Sequence, residues 1–159
     1  MSYLLDNQKD SNLLIKIGDK TIYCHREILA KRCNYFEALF SSGMSESQNN
    51  EISFTEVNYR VFLKFLKYIY SGGNIEDRQL FNFHQEKKAK HSPKLDVTDL
   101  LLVASRFNLI PLIQRCERKL ISFVNFQNVQ DLLDLSSDAG ASQLNAYCEM
   151  FLEGFFFFF

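Results

Sequence analysis

The first repeating pattern in the chain has the two-residue period of a β-strand. Its apolar positions before the first turn are Leu13, Ile15 and Ile17. Because side chains on a strand point alternately to opposite faces, this spacing gives the strand one apolar face. The turn at residues 18–20 and the run Thr21 to Cys24 complete a predicted β-hairpin, and residues 51–54 predict a short third strand. Together these segments predict a small three-stranded sheet.

Helical spacing replaces the strand pattern from Arg26 onward. Apolar residues now recur every three or four positions, at Leu29, Cys33, Phe36 and Phe40. This periodicity places them on one face and predicts a single helix that ends at residues 41–43. A second stripe predicts another helix, which Gly72 and Gly73 end. Its apolar positions are Phe62, Phe65, Leu66 and Ile69.

Four more helical stripes fill the C-terminal half of the chain. Asp96 and Asp99 bracket the predicted start of the first, where carboxylates accept hydrogen bonds from free backbone N–H groups. Pro111 marks the start of the second. Proline lacks a backbone N–H, and an N–H in the first turn of a helix would have no helical partner. The last two predict an αα-hairpin broken at Gly140. The apolar positions, in order, are Leu100, Val103, Ala104 and Phe107; Ile113, Cys116, Leu120 and Phe123; Val129, Leu132, Leu133 and Leu135; Leu144, Tyr147, Cys148 and Phe151.

Two segments lack this periodicity. Residues 76–95 are polar and charged, and they predict an exposed insertion with weak helical tendency. Residues 153–159 end in consecutive phenylalanines that match no cap, strand or anchor pattern. We expect this tail to be disordered or an artefact of a truncated or misread gene, with the natural protein continuing differently after residue 152.

The composition fits one folded domain without an electrostatic signature for nucleic acid or membranes. The 159 residues are 47% hydrophobic, with 16 Phe, 7 Tyr and no Trp, which disfavours a disordered chain. The 18 basic and 19 acidic side chains give a net charge of -1. Such a balance offers no large basic surface of the kind that nucleic acids or anionic membranes attract.

The cysteine pattern points to a reducing compartment. None of the cysteines belongs to a CxxC pair, and the sequence has neither a signal-like start nor an apolar run of about 20 residues. We therefore expect a soluble protein that is cytoplasmic and/or nuclear. The cysteines are Cys24, Cys33, Cys116 and Cys148.

No motif for metal binding or catalysis is present in the sequence. Cys24 and His25 are adjacent, so on a strand they would point to opposite faces, and Cys33 lies on an apolar helix stripe. No nucleophile beside a base and no phosphate-binding glycine loop is visible, so we expect no enzyme activity and no cofactor. The basic cluster within residues 87–94 invites a nucleic-acid or localisation role. A solvated face is favoured there because no aromatic or helical recognition element accompanies it.

The order of the elements, and the residues that fill them, resemble the BTB/POZ family. The strongest run is Ile22 to Ala30 followed by Asn34 to Phe40, which resembles the family's strand-ending aromatic, its helix-starting His and its YFxAxF sequence. Further matches follow in order at residues 44–47, 52–54, 62–66, 68–72, 100–104, 112 and 116–120. The resemblance covers residues 10–124 around the insertion. It implies a mixed α/β (α+β) fold, with a small three-stranded sheet packed on a cluster of helices.

Residues 125–152 resemble the helical hairpin that follows the BTB domain in cullin-3 adaptors, called a 3-box or the first part of a BACK domain. In that family the hairpin widens the surface offered to the cullin. The matching positions are Asn128, Val129, Leu132, Leu133, Leu144 and residues 148–152.

The loop after the Phe40 helix resembles the hydrophobic-x-Glu element of cullin-binding BTB domains. An exposed apolar anchor can fill a pocket on a partner while a nearby carboxylate accepts hydrogen bonds. The alternative is an ordinary loop whose methionine folds back on the core. The turn at residues 107–109 is expected on the same face. The implied cullin-binding residues are Met44, Glu46, Phe107, Asn108 and Leu109.

A second implied site is a pocket and oligomer interface near the first strand. Many family members pair an acidic residue at the start of that strand with a basic residue after the helix-starting His, and transcriptional repressors recruit corepressors through this charged pocket. Here Arg26 follows His25, but Asn12 replaces the acidic residue, which weakens the repressor interpretation. Most of the family's N-terminal dimerisation helix is absent. The expected interface or pocket residues are Leu4, Leu5, Asn12, His25 and Arg26.

The resemblance thus implies a protein-interaction module that links a target to a cullin-3 ubiquitin ligase. The expected partners are a cullin-3 type scaffold, an unknown substrate protein, and a second copy or another BTB protein. The alternatives are a homo- or hetero-oligomerising scaffold, for example in a transcriptional regulator, and a degenerate fragment.

Overall fold

The three predicted strands form one mixed sheet. The structure, a computed structural model, describes residues 4–42, 49–82 and 93–156. Strand β1 (Leu13–Ile17) lies in the middle of the sheet, antiparallel to β2 (Lys20–Cys24) and parallel to β3 (Glu51–Phe54). Ile15 pairs with Ile22 on one side and Ile52 on the other, and all three are buried. The sheet therefore presents the apolar face that the alternation predicts.

The prediction of one helix from Arg26 to Phe40 is wrong. Helix α1 (Arg26–Arg32) and helix α2 (Asn34–Ser41) are separated by Cys33, whose φ of −146° and ψ of 112° are extended. The break leaves the backbone of Cys33 paired, because its N–H donates to Leu29 O and its carbonyl accepts from Glu37 N. Leu29, Cys33 and Phe36 are still buried, so the periodicity identified the apolar face and missed the kink.

The remaining helices follow the predicted stripes, with an earlier start for one helix and an additional short helix. In the described part of the chain they are α3 (Tyr59–Ser71), α4 (Asp77–Leu80), α5 (Pro93–Arg106), α6 (Ile110–Ile121), α7 (Val129–Asp138) and α8 (Ser142–Phe156). Helix α5 begins at Pro93, earlier than predicted, and Asp96 lies in its first turn and is buried. Within the predicted insertion, α4 buries Leu80 completely. The Leu80 side chain therefore belongs to the core.

An aromatic cluster around Phe107 occupies the centre of the core. Phe107 lies at the end of α5, and its ring centroid is 4.6–5.6 Å from those of five other rings. Edge-to-face and tilted rings at these separations add attraction beyond their burial. The partners come from α2, β3 and α3, so one side chain joins the sheet to three helices. We call this set the Phe107 cluster; it comprises Phe107, Tyr35, Phe36, Phe54, Phe62 and Phe65.

The α7–α8 hairpin is attached to α6 by a buried carboxylate. Glu117 Oε1 accepts hydrogen bonds from the backbone N–H groups of Gln143, at 2.7 Å, and Leu144, at 3.2 Å. These donors belong to the first turn of α8, where N–H groups have no helical partner. On the other side, Ser105 Oγ donates to Ala139 O at 2.9 Å. We call the contacts of Glu117 with α8 the Glu117 seam.

None of the described helices is long and apolar enough to cross a membrane.

Candidate functional site

The turn between α5 and α6 presents one side chain to solvent, which corrects the prediction for its neighbours. Phe107 is 0% exposed and Leu109 is 8% exposed, because the first fills the Phe107 cluster and the second packs into the core. Asn108 is exposed at the tip, with a φ of 50°. Of the three predicted cullin contacts at residues 107–109, only Asn108 can offer its side chain to a partner.

Exposed apolar side chains flank this turn, and the sequence reasoning missed them. Leu102 of α5 is 42% exposed and Ile110 of α6 is 50% exposed. In the sequence, both residues fall outside the apolar stripes of their helices. This position was the signal that could have identified them as exposed. Leu102 also lines a cavity of about 340 Å³ with Val57, from the segment between β3 and α3, and with Val61 of α3. The two helices joined by this turn thus each carry an exposed apolar side chain, as protein-binding surfaces often do.

The predicted anchors Met44 and Glu46 lie outside the described residues, but both flanks of their loop are described. Arg26 contacts both: its guanidinium lies 4.7 Å from the ring centroid of Phe40, and its Nη2 donates to Asn49 O. Phe40 precedes the loop and Asn49 follows it. Arg26 therefore ties together the two ends of the loop that carries the predicted anchors.

The predicted pocket residues Asn12, His25 and Arg26 are brought together at the start of α1. Asn12 Oδ1 accepts from the backbone N–H of Arg26 at 2.9 Å, and Asn12 Nδ2 donates to Glu27 Oε1 at 2.8 Å. An acidic residue at position 12 would place a second carboxylate against Glu27. The amide of Asn12 fits this arrangement because it supplies a donor as well as an acceptor. Asn12 is uncharged and bonds the backbone of Arg26, so it forms no ion pair with the Arg26 side chain.

His25 is half-buried beside the buried side chains of Tyr70 and Cys24. The Tyr70 hydroxyl accepts from the His25 backbone N–H at 2.8 Å and lies 3.0 Å from His25 Nδ1. Among the described residues nothing hydrogen-bonds His25 Nε2. Burial raises the pKa of the Cys24 thiol to about 12 and also raises the pKa of Tyr70. A thiol held protonated is a poor nucleophile and a poor metal ligand.

Leu4 and Leu5, expected at an oligomer interface, are half-buried against the core of their own chain. The residue after them holds the segment to β2: the Asp6 N–H donates to Tyr23 O at 2.9 Å, and Asp6 Oδ1 accepts from Tyr23 N at 3.1 Å. This segment covers part of the outer edge of β2. Their role between chains stays a prediction.

The described ranges contain no group of three or more His, Cys, Asp or Glu side chains placed to hold a metal ion. Burial raises the pKa values of Cys33, Cys116 and Cys148 as well. The polar residues that remain at the surface are suited to hydrogen bonds with a partner.

Residues 1–124 match the family model of the BTB/POZ domain. This chain belongs to the BTB/POZ family. The BTB domain of zebrafish PATZ1 shares the fold, with a TM-score of 0.51 and 18% sequence identity over 75% of this chain and 81% of that one. BTB domains mediate dimerisation and binding to other proteins, so the chain is a protein-interaction or oligomerisation module.

Curated relatives include longer proteins from animals and plants. BTB/POZ domain-containing protein 9 of cattle is 30% identical over 151 residues, covering 94% of this chain and 23% of the relative. Mouse Rabankyrin-5 is 30% identical over 145 residues, covering 91% and 11%. BTB/POZ and MATH domain-containing protein 4 of Arabidopsis thaliana is 27% identical over 148 residues, covering 93% and 32%. The BTB chain spans less than a third of the length of these relatives.

The similarity also reaches beyond the matched domain. Coverage of 94% of this chain requires the alignment with the bovine relative to continue past residue 124 into α7 and α8. The helical hairpin is therefore part of what this BTB chain shares with that relative.

Proposed function

We propose that this chain is the BTB module of a substrate adaptor that binds a cullin-3 type scaffold, while another region of the protein holds the target. The observation that carries the proposal is the α7–α8 hairpin, which follows the BTB unit directly and is attached to α6 through the Glu117 seam. A hairpin held in one orientation extends a binding surface without an ordering cost at the moment of binding.

The described surface near the α5–α6 turn supports a docking role. Asn108 offers amide donors and an acceptor at the tip, and Leu102 and Ile110 offer exposed apolar area beside it. Central apolar anchors with polar neighbours are the usual source of binding energy at protein interfaces. These residues join Met44 and Glu46 as proposed contacts.

Arg26 supports the proposal from the other side of the loop. Its contacts with Phe40 and Asn49 restrain the ends of residues 43–48, which reduces the entropy lost when that loop binds a partner. In this proposal Arg26 positions the docking loop, instead of forming half of a charged corepressor pocket.

Calorimetric titration of the full chain with a cullin-3 N-terminal domain tests the proposal. We expect a Kd of about 1 μM or lower, equivalent to about −8 kcal/mol. The Met44→Ala/Glu46→Ala variant should lose this binding, and Ile110→Asp should weaken it. A Ser45→Ala/Ser47→Ala variant leaves the apolar and acidic positions of the motif unchanged and should bind as the wild type does. A folded wild-type chain that gives no binding contradicts the adaptor function.

The second candidate function is an oligomerising scaffold, for example in a transcriptional regulator. One observation favours it: within the described residues β3 is an edge strand that pairs with β1 alone. A free edge offers backbone groups to a strand of another chain. Light scattering of the full chain separates the candidates, since a stable dimer without cullin binding supports the scaffold.

A further inference from the structure

A cationic cavity of about 580 Å³ lies between α3 and α4, on residues that play no part in the proposed cullin surface. Its charged lining consists of Lys64 and Lys67 from α3 and Arg78 from α4. Asn74, Gln79 and Asn82 add side-chain amides, and no carboxylate is among the described lining residues. We call this feature the α3–α4 cavity.

The fold builds this cavity from the polar side of α3. Lys64, Lys67 and Ser71 are spaced three and four residues apart, so they share a helix face, whereas Phe62, Phe65 and Leu66 point into the core. The opposite wall is α4, which the buried side chain of Leu80 anchors.

Arg115 fixes the segment that connects the two walls. Its guanidinium donates to Gly73 O at 3.2 Å and to Ile75 O at 2.6 Å, and it also pairs with Asp77. Three contacts from one planar group leave the segment little freedom. The cavity is therefore held in shape by contacts that lie outside it.

Positive charge accumulates in the cavity. Lys64 is half-buried and its Nζ donates to Gln79 O at 2.5 Å. Burial lowers the pKa of Lys64, and the nearby Lys67 and Arg60 cations lower it further by repulsion. Glu76 pairs with Arg78 at the exposed rim, so it offsets only part of this charge. An anion between the cations would relieve their mutual repulsion.

The C-terminal end of α3 does not cancel this charge. Helix ends carry partial negative charge on unpaired carbonyls. Here Arg32 Nη1 donates to Ile69 O at 2.9 Å and to Tyr70 O at 2.6 Å. Gly73 N donates to Tyr68 O at 3.0 Å. The last carbonyls of α3 are thus paired with a cation and with backbone N–H groups.

We propose that the α3–α4 cavity binds a phosphorylated segment of a partner polypeptide, with the phosphate monoester placed between Lys64, Lys67 and Arg78. A phosphate dianion presents three acceptor oxygens, which suit the three cationic side chains that line the cavity. The amides of Asn74 and Asn82 can bond the peptide backbone beside it. This site would let phosphorylation select the partner, independently of whether a cullin binds elsewhere.

The lining favours a peptide over a nucleic acid. None of the described lining residues is aromatic, so bases would find no stacking platform.

The test uses a fluorescent peptide pool that is randomised on both sides of a fixed phosphoserine, titrated into the full chain by anisotropy. The Lys64→Gln/Lys67→Gln/Arg78→Gln variant should lose affinity by about tenfold or more. A control that removes the same charge elsewhere, Lys9→Gln/Lys31→Gln/Arg118→Gln, should retain affinity within about twofold. Equal losses in both variants overturn the proposal, because they indicate unspecific attraction.

Four further measurements secure the test against misfolding and against other anions. Lys67 is exposed, so Lys67→Glu alone should fold and still weaken binding. Amide chemical-shift changes caused by the phosphopeptide pool should centre on α3 and α4; changes centred elsewhere overturn the site. The unphosphorylated pool should bind weakly, and inorganic phosphate should compete only at a large excess. Equal binding of either probe overturns recognition of a phosphorylated peptide.

Discussion

The Phe107 cluster and the Glu117 seam join parts of the same molecule by different forces. In the cluster, apolar rings from α2, β3, α3 and α5 pack at 4.6–5.6 Å around a side chain that is 0% exposed. In the seam, a carboxylate on a residue that is 2% exposed accepts two backbone hydrogen bonds. The cluster is held together by close packing over many contacts. The seam is held together by two hydrogen bonds, whose strength depends on the angle between donor and acceptor.

This difference suggests different roles: the cluster stabilises the BTB unit, and the seam orients the hairpin. Apolar burial stabilises the BTB unit through many neighbours and tolerates small changes of angle. A buried carboxylate tolerates few arrangements, because losing its donors leaves an unpaired charge out of water. The cluster thus makes the BTB unit fold, and the seam sets where the α7–α8 hairpin sits on it.

Phe107→Ala should have the largest effect on stability. Removing a fully buried ring that touches five others leaves a cavity, and we expect the free energy of unfolding to fall by about 3–5 kcal/mol. Urea unfolding of the wild type and the variant measures this. Ile110→Ala, at an exposed neighbouring position, is the control and should change stability by about 0.5 kcal/mol or less. A comparable loss in both variants would show that the cluster is not the main source of cohesion.

Glu117→Ala should have a smaller and more local effect. Two N–H groups of α8 lose their acceptor, at a cost of about 2–3 kcal/mol. Hydrogen exchange should rise in α7 and α8 while the backbone of β1 and α3 stays protected. Glu117→Gln keeps an acceptor oxygen and should restore most of the protection. Uniform acceleration across the chain would contradict separate roles for the seam and the cluster.

A rise from about pH 8 to about pH 10 should give the smallest effect and should distinguish the two regions again. Burial raises the pKa of Cys24 from 9.0 to about 12 in the folded chain. Its contribution to stability is complete below pH 9 and is lost as pH rises from there towards about 12, because the unfolded thiol ionises first. Each pH unit above 9 should cost about 1.4 kcal/mol through Cys24.

Unfolding at about pH 8 and about pH 10 measures this dependence. Cys24→Ala should remove more of it than Cys148→Ala, because Cys148 lies in the hairpin, where local opening allows ionisation without global unfolding. An equal effect of the two substitutions would indicate that the hairpin and the BTB unit unfold together.

Much of the fold could be predicted because periodicity reports which side of each element faces the core. Leu13, Ile15 and Ile17 are all buried, as their alternation predicts. Periodicity does not report breaks that preserve the face, and the extended backbone at Cys33 is such a break. The predicted start of α5 was too late, since an acidic residue can lie anywhere in a first turn, and Asp96 follows Pro93 there.

Less of the candidate site could be predicted, because its contacts join residues distant in sequence. Phe107 was expected both on the apolar face of its helix and at a docking surface, and five rings from other elements enclose it, so only the apolar face was predicted correctly. Arg26 was expected in a charged pocket, and its bond to Asn49 depends on how the chain returns after the loop. Nothing in the sequence around Glu117 marks it as the acceptor for α8, 26 residues away.

Hydrogen exchange of the full chain with and without a cullin-3 N-terminal domain tests most directly whether the BTB unit and its hairpin act as one binding surface. We predict added protection both in residues 40–50 and around Asn108, and in the α7–α8 hairpin, with the hairpin part lost in Glu117→Ala. Protection of the loop and turn that leaves α7 and α8 unchanged would show that the hairpin takes no part in binding. Protection of none of these segments would contradict the adaptor function.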